Sequence, residues 1–419
     1  MALALALYRG LSHALSLAAP AWLAARARAG KEDPQRLGER FGRAAAPRPQ
    51  GRLVWLHAAS VGELGVALGV RSDLAGAAPD LEFLITTGTQ TSAAMFARAA
   101  HAQTRHQFAP LDTPGAVARF LSHWRPDLGV FIESEIWPNL ILAARAQGVR
   151  LALLNARMNA DSLRRWTGMA VSARRLFSAF DVILPADTAT RIGLGALLGR
   201  ALAPEGNLKL AAPAPGIDAA LVAAMRTAIA GRPVWLAAST HAGEDEVALA
   251  AHAEVRAAFP NALLIIAPRH PERGAAVAAL AHARRRALGD VPGPDDHVYV
   301  ADTIGEMGAW LSLADPALIA GSLRAELKGH NPIEAARMGV AILSGPHVAS
   351  FADIYAAFAA EDGLIWTPDA AAIAHAVVQL WRDPARAAAL KANAVRAAQA
   401  GTGARTAAVA ALLRLLERA

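Results

Sequence analysis

Short apolar segments alternate with longer stretches of helical periodicity along most of this 419-residue chain. Each apolar segment ends in a loop of polar residues or glycine, and the stretch after it repeats apolar residues at a period near 3.6. This alternation is typical of βα units, whose strands pair in parallel and are covered by helices on both faces. The predicted strands form two series, LVWLHA, EFLITT, HQFAP, LGVFIE, LALLNA and VILPA, then VWLAAS, ALLIIAP, HVYVAD, ALIAGS, VAILSG and LIWTP.

A chain of this length is too long for one ordinary hydrophobic core, so two domains are expected. The predicted fold class is α/β, with two Rossmann-like doubly wound domains that face a cleft and an N-terminal membrane-associated helix. Such a plan suits a glycosyltransferase of the GT-B type, a periplasmic-type binding protein or an epimerase, and the fold alone does not choose. The predicted divisions are an apolar segment over 1–30, a first domain over 31–208, a linker over 209–218, a second domain over 219–385 and C-terminal helices over 386–419.

The composition excludes several classes of reaction and ligand. The chain has no cysteine, which excludes disulfides, thiolate nucleophiles and cysteine-ligated metals. Its formal charge is +7, but the basic residues are spread along the chain and form no recognisable nucleic-acid-binding module. Only RARAGK (26–31) and RRR (284–286) concentrate positive charge, which fits a solvated surface or attraction to an anionic membrane or substrate.

The N-terminal segment is apolar up to Ala25, and its basic cluster follows the apolar run instead of preceding it. This order differs from a cleavable signal peptide and places the basic end on the cytoplasmic side. We therefore expect the rest of the chain to be cytoplasmic, with the segment inserted in the membrane or lying on it. An amphipathic helix docked on the first domain is the alternative.

Four loops follow strands of the second domain, where α/β folds place their ligands. None is a dinucleotide fingerprint or a phosphate-binding P-loop. Gly305 and Asn331 are each predicted to open a helix whose free backbone N–H groups suit a phosphate, and Arg269 offers a bidentate fork. Glu334 is placed to accept from sugar hydroxyls. The alternatives are a surface turn at Arg269 and an N-cap at Asn331 that Glu334 completes. The polar candidates are Ser239, Thr240, Arg269, His270 and Asn331.

Three carboxylates, Glu63, Glu133 and Glu135, follow strands of the first domain. Glu63 lies at a predicted helix start, where the helix dipole should lower its pKa and keep it ionised at neutral pH. An ionised carboxylate without a counter-ion can act as a base toward a hydroxyl; electrostatics of the helix start is the alternative. No DxD pair or His/carboxylate spacing typical of a metal site occurs, so no metal cofactor is expected.

Several of these motifs together resemble the 3-deoxy-D-manno-octulosonic acid (Kdo) transferases, which move Kdo from CMP-Kdo to a lipid A precursor. The resemblance runs in order from about Arg36 to Tyr355, and the N-terminal apolar segment is also similar. It rests on HAASVGE, PLDTPGAVARFLSHWRPDLGVFIESEIWPNLI, LNARM, EGNLK, AASTHAGEDE, APRHPER, DTIGEMG, GHNPIE and SGPHVASFADIY.

The resemblance implies an inverting, metal-independent GT-B enzyme that works beside the anionic inner-membrane surface. It implies that Glu63 is the general base toward the 6′-hydroxyl of the acceptor glucosamine, and that Glu133 and Lys209 stabilise the transition state. The implied CMP-binding positions are Pro268, Arg269, Ile304, Gly305, Glu306, Asn331, Pro332, Ile333 and Glu334. Further donor contacts are expected from Ser239, Thr240, His241, His270, Gly329 and His330.

The loop GSLRAELKGHNP departs from the family pattern, since Lys328 replaces a glycine and the loop is about one residue longer. Because of this change, the donor-binding roles known in the family transfer less directly to Gly329 and His330 than to Arg269 or Glu334. Three hypotheses therefore stand: a Kdo transferase, a GT-B transferase that uses another nucleotide sugar, and a two-lobed binding protein. Only the first two predict catalysis, and only the first requires Glu63. The sequence does not indicate how many Kdo residues are added.

Overall fold

All twelve predicted strands are present in the computed structural model, which describes residues 3–97, 102–204, 206–211 and 214–417. The chain divides into two units: unit 1 comprises residues 1–211 and 401–419, and unit 2 comprises residues 212–400. Lys209, at the start of the predicted linker, therefore belongs to unit 1. Within the described residues, the predicted C-terminal segment 386–419 is helical up to Leu416, in one helix that passes from unit 2 to unit 1 after residue 400.

Unit 1 is built on a six-stranded sheet whose paired strands are all parallel, in the order β3-β2-β1-β4-β5-β6. This is the doubly wound order expected of a Rossmann-like domain. The strands are β1 (Leu53–Ala58), β2 (Glu82–Thr87), β3 (Thr104–Phe108), β4 (Leu128–Ile132), β5 (Arg150–Ala156) and β6 (Val182–Pro185). The helices are α1 (Leu3–Arg28), α2 (Leu37–Arg40), α3 (Val61–Ala77), α4 (Gln90–Ala97), α5 (Pro114–Trp124), α6 (Pro138–Ala146), α7 (Ala160–Gly168), α8 (Ala170–Phe177) and α9 (Thr188–Leu198).

Both faces of this sheet are covered, so its central strands are apolar throughout. All six residues of β1 are buried. Leu53 and Trp55 enter one core cluster, while Val54 and Leu56 enter the cluster on the opposite face. Side chains alternate between the faces of a strand, and a strand buried on both faces loses the polar alternation of a half-exposed one. This is why the sequence shows continuous apolar runs here.

Unit 2 has a seven-stranded sheet, also with parallel pairs, in the order β13-β12-β11-β7-β8-β10-β9. Its strands are β7 (Val234–Thr240), β8 (Leu263–Pro268), β9 (Arg284–Arg285), β10 (Val298–Val300), β11 (Ala317–Ile319), β12 (Ile342–Ser344) and β13 (Ile365–Trp366). Its helices are α10 (Ala219–Ile229), α11 (Glu244–Ala258), α12 (Gly274–Ala281), α13 (Met307–Leu313), α14 (Ile333–Arg337), α15 (Ala352–Ala360), α16 (Ala370–Arg382) and α17 (Pro384–Leu416), the last extending into unit 1.

The arginine run 284–286 supplies the strand that the sequence did not predict, β9 at the edge of the second sheet. Each arginine forms an ion pair inside the unit: Arg284 with Asp296 at 3.0 Å, Arg285 with Asp302 at 2.7 Å and Arg286 with Glu306 at 2.8 Å. The run is therefore used for internal ion pairs, and its attraction to an external anion is not needed to explain it.

Helix α1 has two different faces. Leu5, Ala19 and Leu23 are buried against unit 1, and the Tyr8 hydroxyl donates to Asp112 at 2.9 Å. The opposite face exposes a stripe of large apolar side chains, namely Leu3, Leu7, Leu11, Leu15 and Trp22. No helix in the described part of the chain has the length and apolar character needed to cross a membrane.

Candidate active site

Glu63 is the third residue of α3 and lies directly after the turn that follows β1. Ser60 is the N-cap, and its hydroxyl accepts from the Glu63 amide at 3.3 Å. The Glu63 carboxylate turns back on the same turn: it accepts from the Ala59 amide at 2.7 Å and from the Ser60 hydroxyl at 3.0 Å. The helix start thus holds the carboxylate in place. This agrees with the alternative interpretation, in which Glu63 serves the electrostatics of the helix start.

The expected direction of the Glu63 pKa is nevertheless wrong. Burial raises the pKa of this carboxyl, and the nearby charges of Glu135 and Glu133 raise it further. The hydrogen bonds from Ala59 and Ser60 act in the opposite direction and do not compensate. The position of Glu63 at the helix start could be predicted from the sequence, but its burial and the two carboxylates that another loop brings near it could not. Glu63 is a buried carboxyl with an increased affinity for a proton.

Glu133 and Lys209 form an ion pair at the same edge of the sheet, with 2.5 Å between the Lys209 ammonium and a carboxylate oxygen. Asn155 at the end of β5 connects both: its amide donates to Glu133 at 3.2 Å, and its oxygen accepts from the Leu208 amide at 2.8 Å. Leu208 and Lys209 belong to a 3-10 turn that contacts α3. The structure therefore brings Glu63, Glu133 and Lys209 together within unit 1.

Asn155 was not among the predicted site residues, although it lies in the quoted motif LNARM. A polar residue at the end of an otherwise apolar strand is the same signal that identified Glu133, and it would have found Asn155 as well. Asn155 is completely buried, and a buried amide needs partners for its donor and its acceptor. Its two bonds meet that need and fix the ion pair in place.

Three non-glycine residues at the carboxyl ends of strands have a left-handed backbone: Glu133 (φ 60°), Asn155 (φ 54°) and Ser239 (φ 59°). At Asn155 and Ser239 the strand pairing also shifts register, between 153 and 156 in β5 and between 238 and 240 in β7. A bulge of this kind changes the direction of one side chain at the cost of local strain, and it is common next to active sites. Both units have such a bulge at the edge where the candidate residues lie.

In unit 2, Glu244 joins the loop after β7 to the loop after β11. It is fully buried, and its carboxylate accepts from the backbone amides of His241 at 3.1 Å, Gly321 at 2.8 Å and Leu323 at 3.1 Å. The neighbouring Asp245 pairs with Arg273. The acidic run GEDE, to which the sequence assigned no role, therefore holds the loops that carry the candidate donor residues.

A cluster of imidazoles lies on these loops. The Nε2 atoms of His241 and His330 are 2.9 Å apart with the rings stacked, and the His270 ring meets His241 edge-on at 5.7 Å. One nitrogen of the close pair must donate and the other accept, so the two rings share at most one proton there. Burial and the nearby Arg269 lower the pKa of His330 to about 4, and burial also lowers that of His241. Both shifts favour the neutral form of the pair.

Arg269 and Glu334 flank this cluster. Arg269 is exposed, directly after Pro268 at the end of β8, and its amide donates to the Thr240 carbonyl at 3.0 Å. Glu334 reaches the surface, yet surrounding protein atoms raise the pKa of its carboxyl and the charge of Arg269 only partly offsets this. The Arg269 guanidinium and the Glu334 carboxyl are thus both accessible, and they lie close enough to influence each other.

The two predicted helix starts are displaced. The helix after Gly305 begins at Met307, and Gly305 itself has φ 89° in the turn before it. Ile304 is 67% exposed, while Glu306 is held by Arg286 at 2.8 Å. Gly308 needs to be a glycine, because a Cβ atom would lie 2.2 Å from the Gly216 carbonyl oxygen.

The second helix begins at Ile333, one residue later than predicted. Pro332 is its N-cap, and the Asn331 side chain accepts from the Ile333 amide at 3.0 Å. Glu334 is the second helical residue instead of the third and does not complete a capping box. At both sites the residue expected to open the helix forms the turn before it.

The loop that departs from the family pattern is closely packed. Gly329 (φ 86°) donates its amide to the Gly321 carbonyl at 2.7 Å, and Lys328 also has a positive φ of 63°. The added charges Arg324 and Glu326 pair with each other at 2.6 Å on the surface. Of the other expected donor contacts, Ser239 is half-buried and Thr240 is fully buried. Within the described residues, no group of three or more His, Asp or Glu side chains could hold a metal ion.

Comparison with known proteins indicates the same family as the motifs in the sequence. A family model described as 3-deoxy-D-manno-octulosonic-acid transferase matches residues 35–212. A 3-deoxy-D-manno-octulosonic acid transferase of Bordetella pertussis is 38% identical over 388 residues, covering 88% of this chain and 89% of the relative. A probable mitochondrial 3-deoxy-D-manno-octulosonic acid transferase of Arabidopsis thaliana is 36% identical over 358 residues, covering 82% and 80%.

Solved structures agree on the fold. A UDP-GlcNAc 2-epimerase from Neisseria meningitidis, bound to UDP-GlcNAc, aligns over 88% of this chain and all of its own, with a TM-score of 0.55 and 12% identity. A glycosyltransferase from Rickettsia africae covers 88% of this chain and 99% of its own, with a TM-score of 0.54 and 10% identity. At such low identity they establish the two-domain GT-B-like fold and nothing about the reaction.

Proposed function

Because this chain belongs to the 3-deoxy-D-manno-octulosonic acid (Kdo) transferase family, and is therefore a glycosyltransferase, we propose that it moves Kdo from CMP-Kdo to the 6′-hydroxyl of a lipid A precursor. The proposed transfer inverts the anomeric centre and needs no metal ion. The observation that carries this proposal is the group at the carboxyl edge of the first sheet, where buried Glu63 lies beside two carboxylates, one of them paired with Lys209.

Glu63 is the proposed general base. The acceptor hydroxyl loses a proton as it attacks, and a carboxylate accepts that proton more readily when its pKa is raised toward the working pH. Burial and the neighbouring charges raise the Glu63 pKa in this direction. The bonds from Ala59 and Ser60 hold the carboxylate in one orientation before the acceptor arrives, which supports a positioned base.

Lys209 and Glu133 are the proposed transition-state stabilisers. Kdo has a carboxylate, and the bond to CMP breaks with negative charge developing on the phosphate. A fixed ammonium is suited to stabilise such charge without reorganisation. Lys209 is held by Glu133 at 2.5 Å, and its backbone amide donates to Asn207 at 3.0 Å. These contacts fix the position of the ammonium.

Unit 2 is the proposed donor-binding domain. Arg269 would hold the phosphate through its guanidinium. The backbone of the turns at Gly305 and Asn331 would lie close to the same phosphate, and Glu334 would accept hydrogen bonds from ribose hydroxyls. The remaining proposed CMP contacts are Pro268, Ile304, Glu306, Pro332 and Ile333. Additional donor contacts are proposed for Ser239, Thr240, His241, His270, Gly329 and His330.

A transfer assay tests the reaction and its metal dependence together. With CMP-Kdo and a tetraacylated lipid A precursor in EDTA, the purified chain should form Kdo-bearing lipid at a rate within about twofold of that with added Mg²⁺, since Arg and Lys replace the cation. Mass spectrometry of the product counts the Kdo residues. A rate that collapses in EDTA and returns with Mg²⁺ would refute metal independence. Failure with CMP-Kdo but transfer from another nucleotide sugar would refute the proposed donor.

The proposed location is the cytoplasmic face of a bacterial inner membrane, with the N-terminal segment as the attachment. The buried and exposed faces of α1 support a helix that lies along unit 1 with Leu3, Leu7, Leu11 and Leu15 toward the lipid. Arg9, Arg28 and Lys31 are exposed on or just after the same helix, and they would favour an anionic surface.

Flotation with lipid vesicles checks this attachment. The wild type should float with vesicles that contain anionic lipid, and Leu7→Glu combined with Leu11→Glu should abolish flotation, because two charges on the apolar face oppose its insertion. Leu288→Glu, at an equally exposed leucine of unit 2, serves as the matched control and should leave it unchanged. Equal flotation of the α1 double variant and the wild type would place the membrane contact elsewhere.

A further inference from the structure

Arg405 is a charged residue of α17 to which neither the sequence motifs nor the proposed reaction assigns a role. It lies in the part of α17 that belongs to unit 1, and its side chain is 22% exposed. Its Nε atom pairs with the Asp73 carboxylate of α3 at 2.7 Å, and its Nη1 atom donates to the Ala211 carbonyl. One guanidinium therefore joins α3 to the end of the 3-10 turn 208–211.

Both segments that Arg405 joins carry a candidate catalytic residue. The first turn of α3 carries Glu63, and the 3-10 turn carries Lys209. The two segments also touch directly, because the Lys209 Cε atom lies 3.7 Å from a Cβ built at Gly62. The separation of α3 from the 3-10 turn thus determines where the Lys209 ammonium lies relative to the start of α3.

A second glycine of α3 leaves room for the guanidinium. A Cβ built at Gly69 would lie 3.2 Å from the Arg405 Nη1 atom. Gly62, Gly69 and Asp73 are spaced by seven and four residues, which places all three on one face of a helix. Lys209 and Arg405 therefore contact the same face of α3, one at its start and the other two turns further along.

The 3-10 turn 208–211 is held at both of its ends. A single turn of this kind has poor internal hydrogen-bond geometry and needs contacts from outside to keep its position. At its first residue, the Leu208 amide donates to the Asn155 side chain at 2.8 Å. At its last residue, the Ala211 carbonyl accepts from Arg405. Lys209 lies between these two anchors, so the loss of Arg405 would release one end of the turn.

Apolar contacts also dock this part of α17 on unit 1. Ala408 and Leu412 are completely buried, in the same core cluster as Leu64 and Val70 of α3. These contacts do not involve the guanidinium, and a partly exposed ion pair contributes about 1 kcal/mol or less. Removal of the Arg405 charge should therefore leave α17 in place and the chain folded.

We infer that Arg405 is a positioning residue, which holds α3 and the 3-10 turn together and so fixes the Lys209 ammonium relative to Glu63. This inference rests on the proposed function, in which Glu63 is the base and Lys209 stabilises the transition state. Arg405 touches no reacting atom in this scheme. An electrostatic stabiliser is effective when it is fixed before the charge develops, and a displacement of about 1 Å can cost about a hundredfold in rate.

NMR of the lysine side chains tests the position of Lys209 without an assay of transfer. The sequence has four lysines, so labelling the full-length chain with ε-¹³C-lysine gives four signals, from Lys31, Lys209, Lys328 and Lys391. The Lys209 signal is assigned by its loss in Lys209→Met. In Arg405→Met the Lys209 signal should shift or broaden while the other three stay unchanged. Arg414→Met, at an exposed arginine of the same helix, is the matched control and should leave all four unchanged.

Steady-state kinetics show whether Arg405 acts through Lys209. Arg405→Met should lower kcat for Kdo transfer by about tenfold, less than the roughly hundredfold loss expected when the ammonium itself is removed. In the Lys209→Met background the same substitution should lower kcat by less than about twofold, because the group that it positions is gone. The affinity for CMP should stay close to that of the wild type in both backgrounds.

Thermal unfolding of each variant separates a displaced lysine from a damaged fold. If Arg405→Met unfolds at a much lower temperature, Arg405→Lys replaces it, because an ammonium can pair with Asp73 but cannot serve both partners as the guanidinium does. An unchanged Lys209 signal in both variants would overturn the inference, as would the same factor of loss in kcat with and without the Lys209 ammonium. A changed signal in a chain that transfers no Kdo would support the positioning role and refute the proposed function, so the two failures are distinct.

Discussion

Glu63→Gln should lower kcat for Kdo transfer by about a thousandfold, because a positioned general base contributes roughly 10²–10⁴ to a rate. Glutamine has nearly the shape of glutamate. Its amide oxygen can still accept from the Ala59 amide, and its NH2 group can donate to the Ser60 hydroxyl, which reverses that one bond. The binding of both substrates should therefore change much less than kcat. The measurement is steady-state kinetics with CMP-Kdo and a lipid A precursor at saturating concentrations of each.

The pH dependence provides a second readout for the same residue. Since burial and neighbouring carboxylates raise the Glu63 pKa, wild-type activity should fall as the pH decreases through that raised value, where the base becomes protonated. The residual activity of Glu63→Gln should lack this acidic limb. Glu82→Gln, at the starting edge of the sheet in an ion pair with Arg105, is the control for the loss of a carboxylate. Full activity in Glu63→Gln would mean that the residue serves only the start of α3.

Lys209→Met should lower kcat by about a hundredfold, the scale of removing one preorganised electrostatic stabiliser. Methionine retains most of the aliphatic length that lies against Gly62 but removes the ammonium. The variant also leaves Glu133 without its partner, so an uncompensated carboxylate remains beside Glu63. The affinity for CMP alone should stay close to that of the wild type, because the proposed CMP contacts all lie in unit 2.

A double-mutant cycle separates these two effects of Lys209. If the ion pair acts as a unit, Glu133→Gln in the Lys209→Met background should cost much less than in the wild type, and the effects will be non-additive. Thermal unfolding of each variant checks that unit 1 remains folded. Activity of Lys209→Met within about threefold of the wild type would contradict a role in stabilising the transition state.

Hydrophobic pattern was sufficient to predict the central strands of both sheets, because strands buried on two faces must be apolar over their whole length. The strand that was not predicted, β9, consists of Arg284 and Arg285. It lies at the sheet edge, and its residues pair with Asp296 and Asp302 instead of entering the core. An edge strand stabilised by ion pairs has no apolar signature, so no hydrophobic pattern could have indicated it.

Glu63, Glu133 and Lys209 were named from the sequence, whereas Asn155 and the electrostatics around Glu63 were not. The position of Glu63 follows from a strand–turn–helix pattern. Its raised pKa comes first from burial and then from Glu135 and Glu133, which are about seventy residues away in the chain. The same applies to Glu244, which appears in sequence as one member of an acidic run. Two of its three backbone partners, Gly321 and Leu323, become visible only when β7 and β11 are adjacent. Long-range contacts of this kind leave no local pattern.

The bulges at Asn155 and Ser239 restrict what protein engineering can achieve with this chain. Both residues hold a left-handed backbone that glycine adopts at no steric cost, so a design procedure that optimises melting temperature would favour glycine at each. At position 155 that substitution would also remove the amide that links Glu133 to the turn that carries Lys209. Selection for folding alone would therefore favour substitutions at these positions that reduce activity. A library built for stability should keep both residues unchanged.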